Sequence, residues 1–184
     1  MYLSLITRPD IAFPVNVAAR YVHVGDPGPK HIEWVERIFE YISATRSQGL
    51  VYEGNDSKLC AYSDASWLDE LDMRHTTMGR SLHIGKCLID WRTQLIKRVM
   101  TSTNHAEFFA QNECTKEVLG VKNLLCELGF EPSEGTKIMV DNEGAYKLAK
   151  GLLSHTSSRH YDLNLFFQRE QSDLGRIRFV PVCL

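Results

Sequence analysis

LCAYSDASW (Leu59–Trp67) is the stretch that decides how the rest of the chain is read. Its aromatic, small and apolar residues suit a strand, whereas aspartate is among the residues least welcome in a sheet. Tyr62, Ala65 and Trp67 lead us to expect a mostly buried strand around Asp64. An ion in such a place must be paired or coordinate a metal. The plain structural alternative is a salt bridge to a neighbouring Arg or Lys.

Downstream, strands are expected near 78–85 and 86–92, joined by a tight turn at IGK (84–86), so that the three strands form an antiparallel meander. From Asn104 to Leu128 a long amphipathic helix is expected, with Ala110, Cys114, Val118, Val121, Leu125 and Leu128 at steps of three and four and Gly129 as its stop. A strand at 137–141, a helix at 143–151, a polar loop LSHTSSRH, a helix around 161–173 and a strand at 176–182 complete the order β-β-β-α-β-α-α-β. That order implies an α/β fold, a mixed sheet covered by helices. Upstream, residues 8–48 carry two helical patterns connected by GDPGP (25–29), a helical hairpin whose second member shows an apolar stripe at Ile32, Val35, Phe39 and Ile42. Pro14 falls inside the first pattern, where its missing N–H should bend or delay the helix.

The 184 residues suffice for one domain with an appendage, and 43% apolar with 24% charged residues is an ordinary globular composition. Twenty-one basic against 23 acidic residues leave a formal charge of −2, so a nucleic-acid partner would have to be held by a local patch or through bound cations. Cys60, Cys87, Cys114, Cys126 and Cys183 are odd in number and widely spaced, which reads as free thiols in a reducing compartment. No membrane span or secretory leader is expected, and the chain reads as intracellular.

Three acidic residues stand at element ends rather than on solvated faces: Asp64 late in its strand, Asp141 at the end of another, and Glu107 in the first turn of the long helix. If the first and fourth strands are parallel neighbours, their carboxyl ends share one edge, where the three could meet. Each has a simpler reading. Asp141 could open the next helix, and Glu107, three residues after Asn104, holds the capping-box position. Yet Glu107 also lies on the apolar face of its helix, which a cap does not need. Clustered carboxylates repel one another and are sustained by divalent cations, and hard oxygen donors suit magnesium or manganese. Two such ions about 3.5–4 Å apart can clamp the attacking and leaving oxygens of a phosphodiester.

The phrases TRPDIAFPVN (7–16), HIEWVERIFEYISATRSQGLVY (31–52), YSDASW (62–67), DMRHTTMG (72–79), STNHAEFFA (102–110), VDNEGAYKLA (140–149) and SSRHYD (157–162) occur in an order that resembles the ribonuclease H region of copia-type LTR retrotransposon Pol polyproteins. The resemblance implies a helical tail of the reverse transcriptase or connection region at 1–55 and a ribonuclease H-like domain at 56–184 that lacks its final helix. It implies Mg²⁺-dependent cleavage of the RNA strand of an RNA–DNA hybrid in a cytoplasmic virus-like particle, with Asp64, Glu107 and Asp141 as catalytic metal ligands. The partners implied are the hybrid and the reverse transcriptase portion of the same polyprotein, with no membrane.

Arg74, Asn104, His105, Asn142 and Arg159 are the residues through which the hybrid's phosphates and 2′-hydroxyls would be held. His155 and His160 are candidates to assist proton transfer. The family's fourth carboxylate belongs to a helix beyond residue 184; Asp162 matches a different family position. Where the family carries a Lys-Lys-Gln run, this chain has Gln94-Leu95-Ile96. The rival reading is a catalytically impaired fragment that acts as a nucleic-acid-binding or interaction module.

Overall fold

A computed structural model describes residues 1–23, 27–54, 58–66, 76–98, 100, 102–130, 134–149 and 162–182. Strand β1 (Leu59–Ser66) alternates strictly, with Leu59, Ala61, Ser63 and Ala65 buried and Tyr62, Asp64 and Ser66 exposed. Asp64 therefore lies on the open face of a half-buried strand, not inside a mostly buried one. Strands β2 (Thr76–Ile84) and β3 (Cys87–Ile96) follow antiparallel, with Asp64 opposite Gly79. Their two-residue turn depends on Gly85, whose φ of 58° is open to glycine and costly for most side chains. Strand β3 runs four residues beyond its expected end. Strands β4 (Thr136–Val140) and β5 (Ile177–Pro181) add in parallel, giving the order β3-β2-β1-β4-β5 among the described residues.

Among the described residues the α-helices are α1 (Tyr2–Ile6), α2 (Ala12–Arg20), α3 (Pro29–Ala44), α4 (Thr103–Glu127), α5 (Glu143–Ala149) and α6 (Asp162–Asp173). Helix α4 crosses the inner face of the sheet. Small residues Ala61, Ala106 and Ala110 are almost fully buried and let the α4 backbone approach β1 closely. The main core joins Leu59, Leu82, Cys114, Val118, Ile138, Val140, Ile177 and Phe179; each large side chain removed from water stabilises by about 1.5–3 kcal/mol. Cys60, Cys87, Cys114 and Cys126 are free thiols, and burial pushes the Cys114 thiol up to about 12. Among the described residues no helix is long and apolar enough to cross a membrane.

The helices before β1 depart from the sequence pattern in two ways. Helix α1 has no counterpart in it, and Pro14 is accommodated at the third position of α2, where a backbone N–H has no intrahelical acceptor to lose. A 3₁₀ turn at Pro9–Ile11 leads into that helix. The stripe Ile32, Val35 and Phe39 faces solvent, with Phe39 66% exposed. Helix α3 instead meets the 3₁₀ turn that follows α2, where Tyr21 stacks on His31 at 4.0 Å and meets Trp34 edge-on at 5.8 Å. Arg8, buried, ties both ends of this unit, donating to Asp10 at 2.7 Å and to Thr45 Oγ1 at 2.6 Å.

Among the described residues, hydrogen bonds join the early helices to the outer face of the sheet. The Trp91 indole N–H donates to the Ser4 carbonyl (2.7 Å), Asn16 Nδ2 to the Thr93 carbonyl (3.1 Å), and Arg20 to Thr77 Oγ1 (2.7 Å).

Candidate metal centre

Parallel pairing of β1 with β4 aligns Ser63 with Val140, so the next residues, Asp64 still within β1 and Asp141 just past the end of β4, stand side by side. Parallel neighbours are about 4.8 Å apart, within reach of two short carboxylates. Glu107 enters from the second turn of α4, over the same sheet edge. The three carboxylates offer one oxygen each within 4.8 Å of one another.

Helix α4 begins at Thr103, and its cap is Ser102, whose hydroxyl accepts from the His105 backbone N–H at 3.2 Å. This removes the capping-box reading: Asn104 is inside the helix and Glu107 has no cap to serve. Nor does Asp141 cap α5, because the Asn142 carbonyl accepts the first helical bond, from Tyr146 at 2.9 Å. Among the described residues no Lys or Arg forms an ion pair with Asp64.

Burial first, then Asp141 and Asp64, push the Glu107 carboxyl up to about 8, although the Ala65 backbone N–H lowers it in part. Burial and the Asp141 charge also raise Asp64. Asp64 and Asp141 face solvent while Glu107 is 8% exposed, so the cluster is open on one side and anchored on the other. Hard oxygen donors of like charge, one of them buried, are a set that fits a divalent metal.

The residues expected to hold substrate divide. Asn104 is exposed at the start of α4 and abuts α5, where a Cβ added to Gly144 would stand 2.9 Å from its Oδ1. His105 is half-buried, which lowers its imidazole below the ordinary value, and Asn142 is half-buried beside Asp141. Arg74, Arg159, His155 and His160 lie outside the described residues, as does the side chain of Asp162, which opens α6.

A groove of about 280 Å³ opens beside Asp64 on the outer face of the sheet, between Pro9 and Ala12 on one side and Tyr62, Gly79, Ser81, Trp91 and Thr93 on the other. Only the two-residue period of β1, which puts Tyr62 on the face of Asp64, hinted at it in the sequence.

No family model matches the chain. It is 34% identical, over 182 residues, to the retrovirus-related Pol polyprotein from transposon TNT 1-94 of Nicotiana tabacum, covering 99% of this chain and 14% of that protein. The chain belongs to the ribonuclease H-like region of retrotransposon Pol polyproteins. The Pol polyprotein from transposon RE1 of Arabidopsis thaliana is 32% identical over 98% of the chain, which is 12% of the relative's length. This retrotransposon region thus spans about one seventh or less of these relatives. In fold it is similar to LC11-RNase H1, isolated from compost by a metagenomic approach, with a TM-score of 0.50 at 13% identity over 68% of this chain and 84% of that one. That likeness bears out the ribonuclease H-like mixed sheet with flanking helices.

Proposed function

We propose that this retrotransposon region binds Mg²⁺ through Asp64, Glu107 and Asp141 and hydrolyses the RNA strand of RNA–DNA hybrids, next to a reverse transcriptase in the same polyprotein. The observation that carries the reading is the meeting of three carboxylates from β1, α4 and the end of β4, with oxygens within 4.8 Å of one another. The Pol polyprotein relatives support it by context.

A bound divalent cation supplies charge neutralisation at the phosphate and a water of lowered pKa. The protein's own part is positioning. Glu107, buried on a long helix, fixes one side of the cluster, and the exposed Asp64 and Asp141 leave the other side open to a phosphodiester. Asn104 and Asn142 border that opening with amides suited to a 2′-hydroxyl, the group that distinguishes RNA from DNA.

The test is cleavage of a labelled hybrid by the 184-residue chain in Mg²⁺, beside duplex DNA, single-stranded RNA and the variant Asp64→Asn. Cutting confined to the RNA of the hybrid, and lost in Asp64→Asn, is expected. Cleavage that survives the substitution would overturn the site, and an intact hybrid would overturn the activity.

A further inference from the structure

We propose that the groove beside Asp64 is a subsite for one unpaired nucleobase of the strand held at the carboxylate cluster, an inference that rests on the nuclease reading for where that strand lies. The groove runs across three strands, from Tyr62 and Asp64 on β1, over Gly79 and Ser81 on β2, to Trp91 and Thr93 on β3. At the spacing of neighbouring strands it is about 10 Å across, wide enough for a flat ring system and too narrow for a duplex.

Its walls suit a base. Tyr62, two residues before Asp64 on the same face, is 44% exposed, and its ring is fixed by an edge contact with His83 at 5.4 Å. Trp91 is held by its indole N–H on the Ser4 carbonyl, so what it turns to the groove is apolar ring. Aromatic side chains of this kind are the platforms on which single-stranded bases stack, because every base has a π-face. Gly79, opposite Asp64 in the pairing register, leaves the floor without a side chain, and a Cβ there would meet nothing within 4 Å. Pro9 and Ala12 close the groove from above with small, rigid surfaces.

Continuity with the metal centre selects this occupant. Asp64 belongs to both, so a phosphate bound at the carboxylates has its neighbouring nucleotide at the mouth of the groove. Arg80 and Arg92 also border the groove, but they alternate with Gly79, Trp91 and Thr93, so their side chains leave the opposite face of the sheet, where Arg80 is held by Asp90 and Glu117. With Asp64 the charged group on the groove's own face, it suits a flat ring and not a second phosphate. A base within a duplex is stacked and cannot enter. The region therefore favours hybrids whose strand continues as a single-stranded extension beside the cleavage point.

The test uses the whole chain with a short hybrid carrying 2-aminopurine at the first nucleotide of a single-stranded extension, in Ca²⁺ for binding and in Mg²⁺ for cleavage, against a blunt hybrid of the same sequence. Two variants probe the groove in opposite ways: Gly79→Val fills it, and Tyr62→Leu removes its platform. Circular dichroism establishes that each is folded. The expected result is quenched fluorescence with the wild-type chain, an affinity about 5- to 100-fold weaker in both variants, and a preference for extended over blunt hybrid that falls toward one. Absence of quenching with the wild-type chain, or quenching that survives both variants, overturns the inference. Quenching that depends on the groove while neither hybrid is cut leaves the subsite standing and removes the nuclease reading; cutting without groove-dependent quenching does the reverse.

Discussion

Replacing Glu107 by Gln is expected to stabilise the metal-free protein while abolishing its metal response. In the unfolded chain this carboxyl titrates near 4.5, but in the folded, metal-free protein it is held up to about 8. Its contribution to stability is therefore complete below pH 4.5 and is lost progressively as pH rises through about 8, because the unfolded chain releases a proton that the folded one retains. At about 1.4 kcal/mol per pH unit, that interval sets a ceiling of about 5 kcal/mol. Water reaches the cluster through the exposed Asp64 and Asp141, and this screening brings the expected cost to about 2 kcal/mol at pH 8. Gln keeps the shape and carries no charge. Thermal unfolding in EDTA, followed by circular dichroism, should show the two proteins nearly equal at pH 5 and Glu107→Gln higher by roughly 4–8 °C at pH 8. Added Mg²⁺ should then raise the wild type by mass action and leave the variant almost unmoved. A variant less stable than the wild type at pH 8 in EDTA, or a difference independent of pH, would refute the account of Glu107 as a buried acid waiting for a cation.

Gly144→Ala would put a Cβ 2.9 Å from Asn104 Oδ1 and displace that carboxamide; a KM for hybrid raised as much as by Asn104→Ala, with a stability change under about 1 kcal/mol, is the outcome to look for in steady-state cleavage and urea unfolding. Arg80, 9% exposed, holds Asp90 at 3.3 Å and Glu117 at 2.9 Å, and Arg80→Ala should cost about 2 kcal/mol in urea unfolding, less than for a fully buried network because both acids can rehydrate. Among the described residues neither amide atom of the fully buried Gln111 has a hydrogen-bond partner, so Gln111→Met should be neutral or stabilising by about 1 kcal/mol, and a clear loss of stability would contradict that reading.

Local patterns carried much of the sheet. The alternation in β1, the glycine turn between β2 and β3, and the stop at Gly129, whose φ is 84°, are set by neighbouring residues and could be read directly. The N-terminus of α4 could not. Ser102, Asn104 and Glu107 offer overlapping capping patterns, and which serves depends on where the chain enters the helix after β3. The apolar residues of α3 were also misleading: Ile32, Val35 and Phe39 recur at helical spacing, yet the packing partner, Tyr21 of the preceding turn, takes the adjacent face with His31 and Trp34. Periodicity says that a face exists; it does not say what covers it.

The candidate site divides in the same way. The sequence by itself determined the chemical types and their elements: an aspartate on a strand, a glutamate on the apolar face of a helix, and an aspartate following another strand, each poorly suited to its setting without a partner. Only the tertiary structure decided that they meet. The parallel register of Ser63 with Val140 joins strands more than 70 residues apart and brings Asp64 beside Asp141, and the crossing of α4 over β1 lowers Glu107 onto both. Pairing register and helix crossing arise from packing across the whole sheet. The same is true of the groove, whose walls come from residues 9–12, β1, β2 and β3, segments that no local pattern connects.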